Sequence, residues 1–492
     1  MTRSLLAFSQ SIVSVLLLVS CAHHAANFPE RRRELYDSTG AKFMVASQGE
    51  ATSLAARKMF SLGGNVIDAA AAASFTIAVE RPQSTGIAGG GFMVVHLPTS
   101  KTTVAFDFRE RAPAKAFEKM YQDDKGQVVA GLSTEGALAV GVPGMVAGVL
   151  EIHKKYGKLP LKTVMAPAIE LAENGFSVYP HLAAALEEKQ DVLWKSEAAR
   201  PIFFHGEKKP LVVGDTLKQL DLAKTLRTIA EKGRAGFYAG WVGQAIVDEE
   251  KKLKGMLTLK DLANYQVKTR EPVRDDFGAY EIVSMPPPSS GGVHVIEILN
   301  VLEGLPLEKT GAYSAESVHS TVAAMQLAYS DRAKYLGDPD FVEVPLKTLT
   351  SDSYAKTLQA TIDPKRAKKY TEVKAPDAKK FESKETTHFT IADSDGNVVV
   401  STQTINGWFG AGVVVPKTGM VLNNEMDDFS AKPGVANKFG LVGGKENAVA
   451  AGKRPLSSMS PTIILKDGKP VLALGSPSGS QIITCVALTA LN

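Results

Sequence analysis

Lys384 to Asn406 reads KETTHFTIADSDGNVVVSTQTIN, two β-rich runs on either side of a turn at Asp393 to Asn397. The first run opens with two threonines directly after Glu385. A threonine hydroxyl is a weak nucleophile until a base activates it, so Thr386 either merely pairs in a strand or does chemistry. A three-residue loop at Ser394-Asp395-Gly396 places Gly396 where a positive φ is wanted. Centred on Asp395, that register sets Thr386 opposite Thr404 on one face of the sheet. A two-residue loop would shift the pairing by one and separate them. A plain Thr–Thr strand pair is the alternative that the pattern leaves open.

Other chemistries have less support. Asp393, Asp395 and Asn397 have the spacing that opens a calcium loop, but the glycine at 396 is not at the sixth position and no Glu closes the loop. Ser353 to Lys356 is an SxxK, followed by SDG at 394 and KTG at 417, the order of penicillin-binding enzymes. Yet SDG is not SDN, and VVVPKTGMVL reads as two strands joined by a turn. GSPSGS at 475–480 has Pro477 where GxSxG needs its serine. Gly89 to Gly91 lacks GxxxxGK[ST] and GxGxxG spacing and reads as a tight turn. No CxxC, HExxH or paired-histidine pattern is present, and His23-His24 sits in a polar stretch, so neither a metal nor a cofactor is expected.

The elements around these residues are those of a mixed α/β protein. The chain has 492 residues, 44% hydrophobic and 22% charged, with a formal charge of +4, room for one large or two ordinary domains. KKYGKLPLK and KRAKKY are solvated charge clusters without an aromatic platform, so no nucleic-acid partner is expected. Glu50 to Leu62 reads as a helix stopped by Gly63-Gly64, and Asn65 caps an Ala-rich helix after it. Helical patterns follow to Gly157 and Gly175, through 182–253, after MPPPSSGG and over 313–336. Residues 364–384 are Lys-rich and polar, an exposed connector. After it, β character dominates at 387–406, 411–423 and 461–474, which calls for helices layered over sheet.

The first residues, MTRSLLAFSQSIVSVLLLVSCAHHAANFPE, have Arg3, a short apolar stretch, then LVSC. The stretch suits a signal h-region better than a membrane span. LVSC resembles a bacterial lipobox, in which Cys21 becomes the acylated first residue. Residues 1–20 are then a lipoprotein signal peptide and 21–40 a polar tether. Ala22 resembles the outer-membrane sorting pattern, which implies an exported protein anchored on the periplasmic side of the envelope. An ordinary secretory signal cut near CAHHAA is the alternative.

Several motifs in order carry a resemblance. GGNVIDAA, GGGFM, DFRERAPAKA, GVPGMVAG, MPPPSSGG, YLGDPDF, NNEMDDF, KRPLSSMSPT and GSPSGS, with a threonine opening a strand after a polar linker, resemble the γ-glutamyltransferase (γ-glutamyltranspeptidase) family of N-terminal-nucleophile hydrolases. The resemblance runs from about residue 42 to the C-terminus. It implies a four-layer αββα sandwich, made as a precursor and cut between Glu385 and Thr386 into a large subunit, 41–385, and a small subunit, 386–492. It also implies transfer or hydrolysis of γ-glutamyl groups, with glutathione as donor and water, amino acids or dipeptides as acceptors. By this resemblance Thr386 is the nucleophile and Thr404 its partner, and the backbone N–H groups of Ser478 and Gly479 form the oxyanion hole. Arg109, Ser457 and Ser458 hold the substrate carboxylate, and Asn406, Glu425 and Asp428 its ammonium. Many relatives have two glycines where this chain has Ser478-Gly479. KPGVANKFGLVGGKENAVAAGKRP resembles a lid loop, with Phe439 where some relatives carry Tyr.

The resembling family continues for several dozen residues beyond the point where this chain stops, at Asn492, so the expectation is a sandwich incomplete at its C-terminal end, with a helix starting near Gln481. Two rivals stand beside the main reading: a glutaryl or β-lactam acylase on the same scaffold, and an inactive surface lipoprotein or truncated product.

Overall fold

The computed structural model describes residues 38–311, 313–367 and 385–492. The signal, Cys21 and most of the tether, and the connector from 368 to 384, lie outside the described residues. The chain divides into two units, Met1–Met44 and Val45–Asn492. In the first, the described residues 38–44 hold a bend and the opening of one strand.

Two sheets form the centre of the second unit. The larger is built from β1 (Phe43–Ser47), β2 (Gly90–Leu97), β3 (Thr102–Asp107), β4 (Lys268–Arg270), β7 (Thr387–Asp393) and β8 (Val398–Thr404). The smaller holds β5 (Val273–Phe277), β6 (Tyr280–Ser284), β9 (Thr462–Lys466) and β10 (Lys469–Leu474). The strand orders are β1-β7-β8-β2-β3-β4 and β10-β9-β6-β5. Alternation along each strand decides the layering. Met93, Val95, Phe389, Ile391 and Val399 face one core, shared with helices α1 (Glu50–Ser61), α2 (Val66–Glu80), α3 (Met145–Tyr156) and α4 (Leu161–Asn174). Their neighbours Phe92, Val94, Val398 and Val400 face a second core. That core takes in Val283, Ile463 and Leu465 of the smaller sheet, and beyond it α5 (Gly291–Leu302), α6 (Ala315–Tyr335), α7 (Asp352–Gln359) and α8 (Gln481–Leu491). The result is helix, sheet, sheet, helix, the αββα sandwich the sequence implies.

Helix α2 shows how the sequence builds the support for the site. Asn65 caps it, its side chain accepting the N–H groups of Ile67 and Asp68 while Asp68 accepts the Asn65 N–H, a reciprocal capping box. Every residue from Val66 to Glu80 is buried. The run of alanines lets the helix lie close under β7 and β8.

The β7–β8 hairpin has the expected register, with Thr387 opposite Gln403 and Ala392 opposite Val398. Gly396 has φ 80°, and the Asp393 carboxylate accepts the N–H groups of Asp395 and Asn397 at 3.0 Å each. An Asx-type turn of this kind fixes the loop length and therefore every pairing above it. The span 411–423 yields only a two-residue ladder, Val414–Val415 with Met420–Val421, and Lys417 sits in the turn between them. Sequence reading passed over the β5–β6 hairpin, whose signal is the alternation on either side of Gly278. Helix α8 begins at Gln481, as expected.

Candidate active site

Thr386 directly precedes β7, an interior strand of the larger sheet. Its Oγ1 lies 3.2 Å from Oγ1 of Thr404, the last residue of β8, and both side chains are buried. Thr404 Oγ1 also accepts the Asn406 N–H at 2.9 Å, and Asn406 Nδ2 donates to the Asn424 carbonyl at 2.9 Å. Thr386 has φ 88°. For a β-branched residue this is a strained conformation, costing on the order of 1–3 kcal/mol.

The peptide bond before Thr386 is held on both sides. The Glu385 carbonyl accepts the Ser478 N–H at 3.0 Å. The Glu385 carboxylate accepts the Trp408 N–H at 2.9 Å and pairs with Lys438 Nζ at 3.0 and 3.1 Å. Ser478 has φ 95° and Gly479 φ 51°; Ser478 thus takes a backbone conformation that glycine adopts freely and serine does not.

Arg109 follows β3 and is 1% exposed. One terminal nitrogen pairs with Glu425 and the other with Asp428. Its Nε donates to the Pro455 carbonyl at 3.2 Å. Burial works against the guanidinium charge, but Glu425 and Asp428 outweigh it and hold the pKa above its ordinary value. Glu425 and Asp428 reach one cation because they sit at the two ends of a single 3₁₀ turn. Burial pushes Glu425 up against the pull of Arg109. Glu110 is raised well above its ordinary value, by burial first and by the Glu425 charge second, against the pull of Arg109.

Ser457 is fixed through its backbone: its N–H donates to the Pro288 carbonyl at 2.9 Å, and its carbonyl accepts the N–H and hydroxyl of Ser290 at 2.8 Å each. Ser458 Oγ accepts from Arg332 Nη2 at 3.3 Å. Thr386, Thr404 and Gly479 line one cleft with Arg109, Asn406, Glu425, Asp428, Ser457 and Ser458. Phe439 and Leu441 cover it. The cleft encloses about 20 Å³, room for roughly one water and far too little for a glutamyl group. The covering loop is tied to the acidic turn: Asn437 Nδ2 donates to Asp428 at 3.3 Å, and the Lys438 N–H to Asp427 at 3.1 Å.

Every site position anticipated between Arg109 and Gly479 therefore falls in this region. One geometric expectation changes. Arg109, which the resemblance assigns to the substrate carboxylate, already has its two terminal nitrogens on Glu425 and Asp428. Sequence reading also passed over three participants. Arg332 of α6 stands behind the serines, Glu110 lies 4.0 Å from Arg109, and Lys438 holds Glu385. Glu110 and Lys438 lay within quoted motifs, beside Arg109 and Phe439, but nothing local marked their partners; Arg332 lay outside every quoted motif. Ser353 and Lys356 are exposed on α7 and form no nucleophile pair. Among the described residues no group of His, Cys, Asp or Glu is arranged to hold a metal ion.

An αββα sandwich with a threonine heading an interior strand defines the N-terminal-nucleophile hydrolase class. Residues 52–492 match the family model for gamma-glutamyltranspeptidase. The chain belongs to the γ-glutamyltranspeptidase family. It is 46% identical over 450 residues to a glutathione hydrolase proenzyme of Escherichia coli (strain K12), covering 91% of this chain and 77% of that one. It is similar to the crystal structure of Helicobacter pylori γ-glutamyltranspeptidase, with a TM-score of 0.66 and 42% identity over 69% of this chain and 96% of that chain. A cephalosporin acylase from Bacillus halodurans has a TM-score of 0.75 at 28% identity, covering 91% of this chain and 79% of that one.

Proposed function

We propose that the chain is the precursor of a γ-glutamyltransferase and glutathione hydrolase, with Thr386 as nucleophile for both self-cleavage and turnover. In self-cleavage the Thr386 hydroxyl oxygen attacks the Glu385 carbonyl carbon. The Glu385–Thr386 C–N bond breaks, and the nitrogen takes up the proton the hydroxyl loses. Water then opens the resulting ester, leaving a Glu385 carboxylate and restoring the hydroxyl. The observation that carries this reading is the placement of that one bond, with Ser478 N–H on its carbonyl and Thr404 on the attacking oxygen. A backbone donor already aimed at the oxygen that becomes negative stabilises the tetrahedral intermediate.

The new Thr386 α-amino group has a reference pKa of about 7.7–8.0, so a substantial part is neutral near pH 7 and serves as base for its own hydroxyl. Attack on a γ-glutamyl amide then gives a γ-glutamyl ester, and the leaving amine departs with the proton. Water or an acceptor amine resolves the ester. In this reading the glutamyl ammonium displaces Arg109 from Glu425 and Asp428 and meets Asn406 as well, which frees Arg109 to join Ser457 and Ser458 at the glutamyl carboxylate. Ser478 and Gly479 supply the oxyanion donors, and the mature subunits are 41–385 and 386–492. Because the uncut cleft holds only about 20 Å³, the site must widen before a glutamyl group fits.

N-terminal sequencing of the small fragment tests the cut, which should leave TTHFTIAD, while Thr386→Ala should leave an uncut, inactive chain. A processed and active Ala variant overturns the mechanism. Comparing γ-glutamyl with glutaryl amides separates this function from the acylase reading, since only the former carries the ammonium that the acidic turn would meet. For location, we propose export and acylation at Cys21, supported by LVSC after the short apolar run. Cys21→Ser should abolish lipid labelling and membrane association after a high-salt wash. No helix among the described residues is long and apolar enough to cross a membrane.

A further inference from the structure

The Glu385 side chain occupies a small carboxylate site. Its oxygens accept the Trp408 N–H at 2.9 Å and pair with Lys438 Nζ at 3.0 and 3.1 Å. Both donors follow Thr386 in the chain, whereas Glu385 precedes it. A cut at Glu385–Thr386 therefore leaves the donors on the small subunit and puts their ligand on a different polypeptide.

The position of the donors says what else they meet. Arg109 marks the closed end of the cleft, with its side chain 1% exposed, whereas the Lys438 side chain is 22% exposed. Phe439, next to Lys438, lines the cleft, and Trp408 follows two residues after Asn406, which lines it too. A γ-glutamyl donor whose amino-acid end reaches Arg109 has its amide carbonyl at Thr386 and its amine portion directed away from Arg109, toward the more exposed side on which Lys438 adjoins the lining residue Phe439. The Lys438 backbone is fixed by its N–H bond to Asp427 at 3.1 Å. Its side chain is thus delivered from an anchored point and bears a charge that a departing Glu385 no longer satisfies.

We propose that Lys438, with the Trp408 N–H, is a specificity-determining site for a carboxylate on the amine side of the substrate. It would hold the free carboxylate of the peptide leaving group in glutathione and, in the same place, that of an amino acid or dipeptide acceptor. Glu385 fills this site in the uncut chain as an internal stand-in. The inference rests on the γ-glutamyltransferase reading above.

The test compares self-cleaved wild type, Lys438→Met and Lys438→Arg on two donors, glutathione and γ-glutamyl-p-nitroanilide, whose leaving amine has no carboxylate. The ratio of their kcat/KM values should fall by about tenfold in Lys438→Met, through KM for glutathione, and be largely retained in Lys438→Arg. In wild type, glycylglycine should be a better acceptor than glycylglycinamide, a comparison that needs no variant. A ratio that is the same in all three proteins, or a wild type indifferent to acceptor amidation, overturns the proposal. That includes the case in which Lys438→Met only slows self-cleavage, because Lys438 then serves the precursor alone. Wild type inactive on both donors would instead overturn the γ-glutamyltransferase reading itself.

Discussion

Replacing Thr404 by valine removes one hydroxyl at nearly constant shape, and the structure gives that hydroxyl two partners. It meets Thr386 Oγ1 at 3.2 Å and accepts the Asn406 N–H at 2.9 Å. The two losses have different readouts. Without its acceptor the buried Asn406 N–H carries a desolvation penalty of about 1–3 kcal/mol, which is a stability effect. Without its partner the Thr386 hydroxyl loses a neutral hydrogen bond worth about 0.5–1.5 kcal/mol, which slows self-cleavage about two- to thirteenfold if the bond persists into the transition state. Thr404→Ser retains the hydroxyl and should stay near wild type in both. Cleavage is followed as the appearance of two bands on a denaturing gel, and stability by urea unfolding of the uncut Thr386→Ala background. A Thr404→Val chain that cleaves at the wild-type rate would refute a role for Thr404 in the reaction. A loss of stability without a loss of rate would make the hydroxyl a support for Asn406 alone.

Arg109→Ala should destabilise the fold by about 3–5 kcal/mol, measured by denaturant unfolding, because Glu425 and Asp428 are left buried without their cation. Loss of activity in that variant is therefore not clean proof of substrate contact, and unchanged stability would show that the acids find other partners. Ser478→Gly should raise stability by about 1 kcal/mol, since glycine accepts φ 95° without strain, and should keep self-cleavage intact because the donor is backbone. Burial lifts Glu250 from the ordinary carboxylate range to about 8. A raised carboxyl pKa gives stability that is present below the unfolded value, near 4.5, and lost as pH rises through 8. Glu250→Gln should then raise the thermal midpoint at pH 8, by about 4 kcal/mol in stability, with the gain vanishing near pH 4.5; a pH-independent difference would refute it.

The β7–β8 hairpin was legible because its information is local. Asp393, Gly396 and Asn397 specify the turn, the turn specifies the register, and the register brings Thr386 to Thr404 with no other input. The cap at Asn65 and the start of α8 are local in the same sense. What the sequence concealed is the pairing of charges between distant segments. Arg109 reaches Glu425 and Asp428 across more than three hundred residues, and nothing in DFRER or NNEMDDF says that these ions satisfy one another. Lys438 looked like one more charge in a Gly-rich loop, and only the fold shows it against Glu385. The positive φ of Thr386 was equally hidden, since nothing in the chain marks a β-branched residue for a conformation it disfavours.

That φ has a consequence for the direction of maturation. A φ angle is a rotation defined by the carbonyl carbon before the residue, so the torsion at Thr386 exists only while the Glu385–Thr386 bond exists. Cutting the bond does not relax the angle to a better value; it abolishes the coordinate. The roughly 1–3 kcal/mol held there corresponds to a factor of about 5 to 150 in an equilibrium constant, all of it on the side of the severed chain. Rejoining the ends would require Thr386 to be forced back to φ 88°. If the chain is cut at Glu385–Thr386 as proposed, the fold biases maturation as a ratchet, using a conformation that the cut chain no longer possesses.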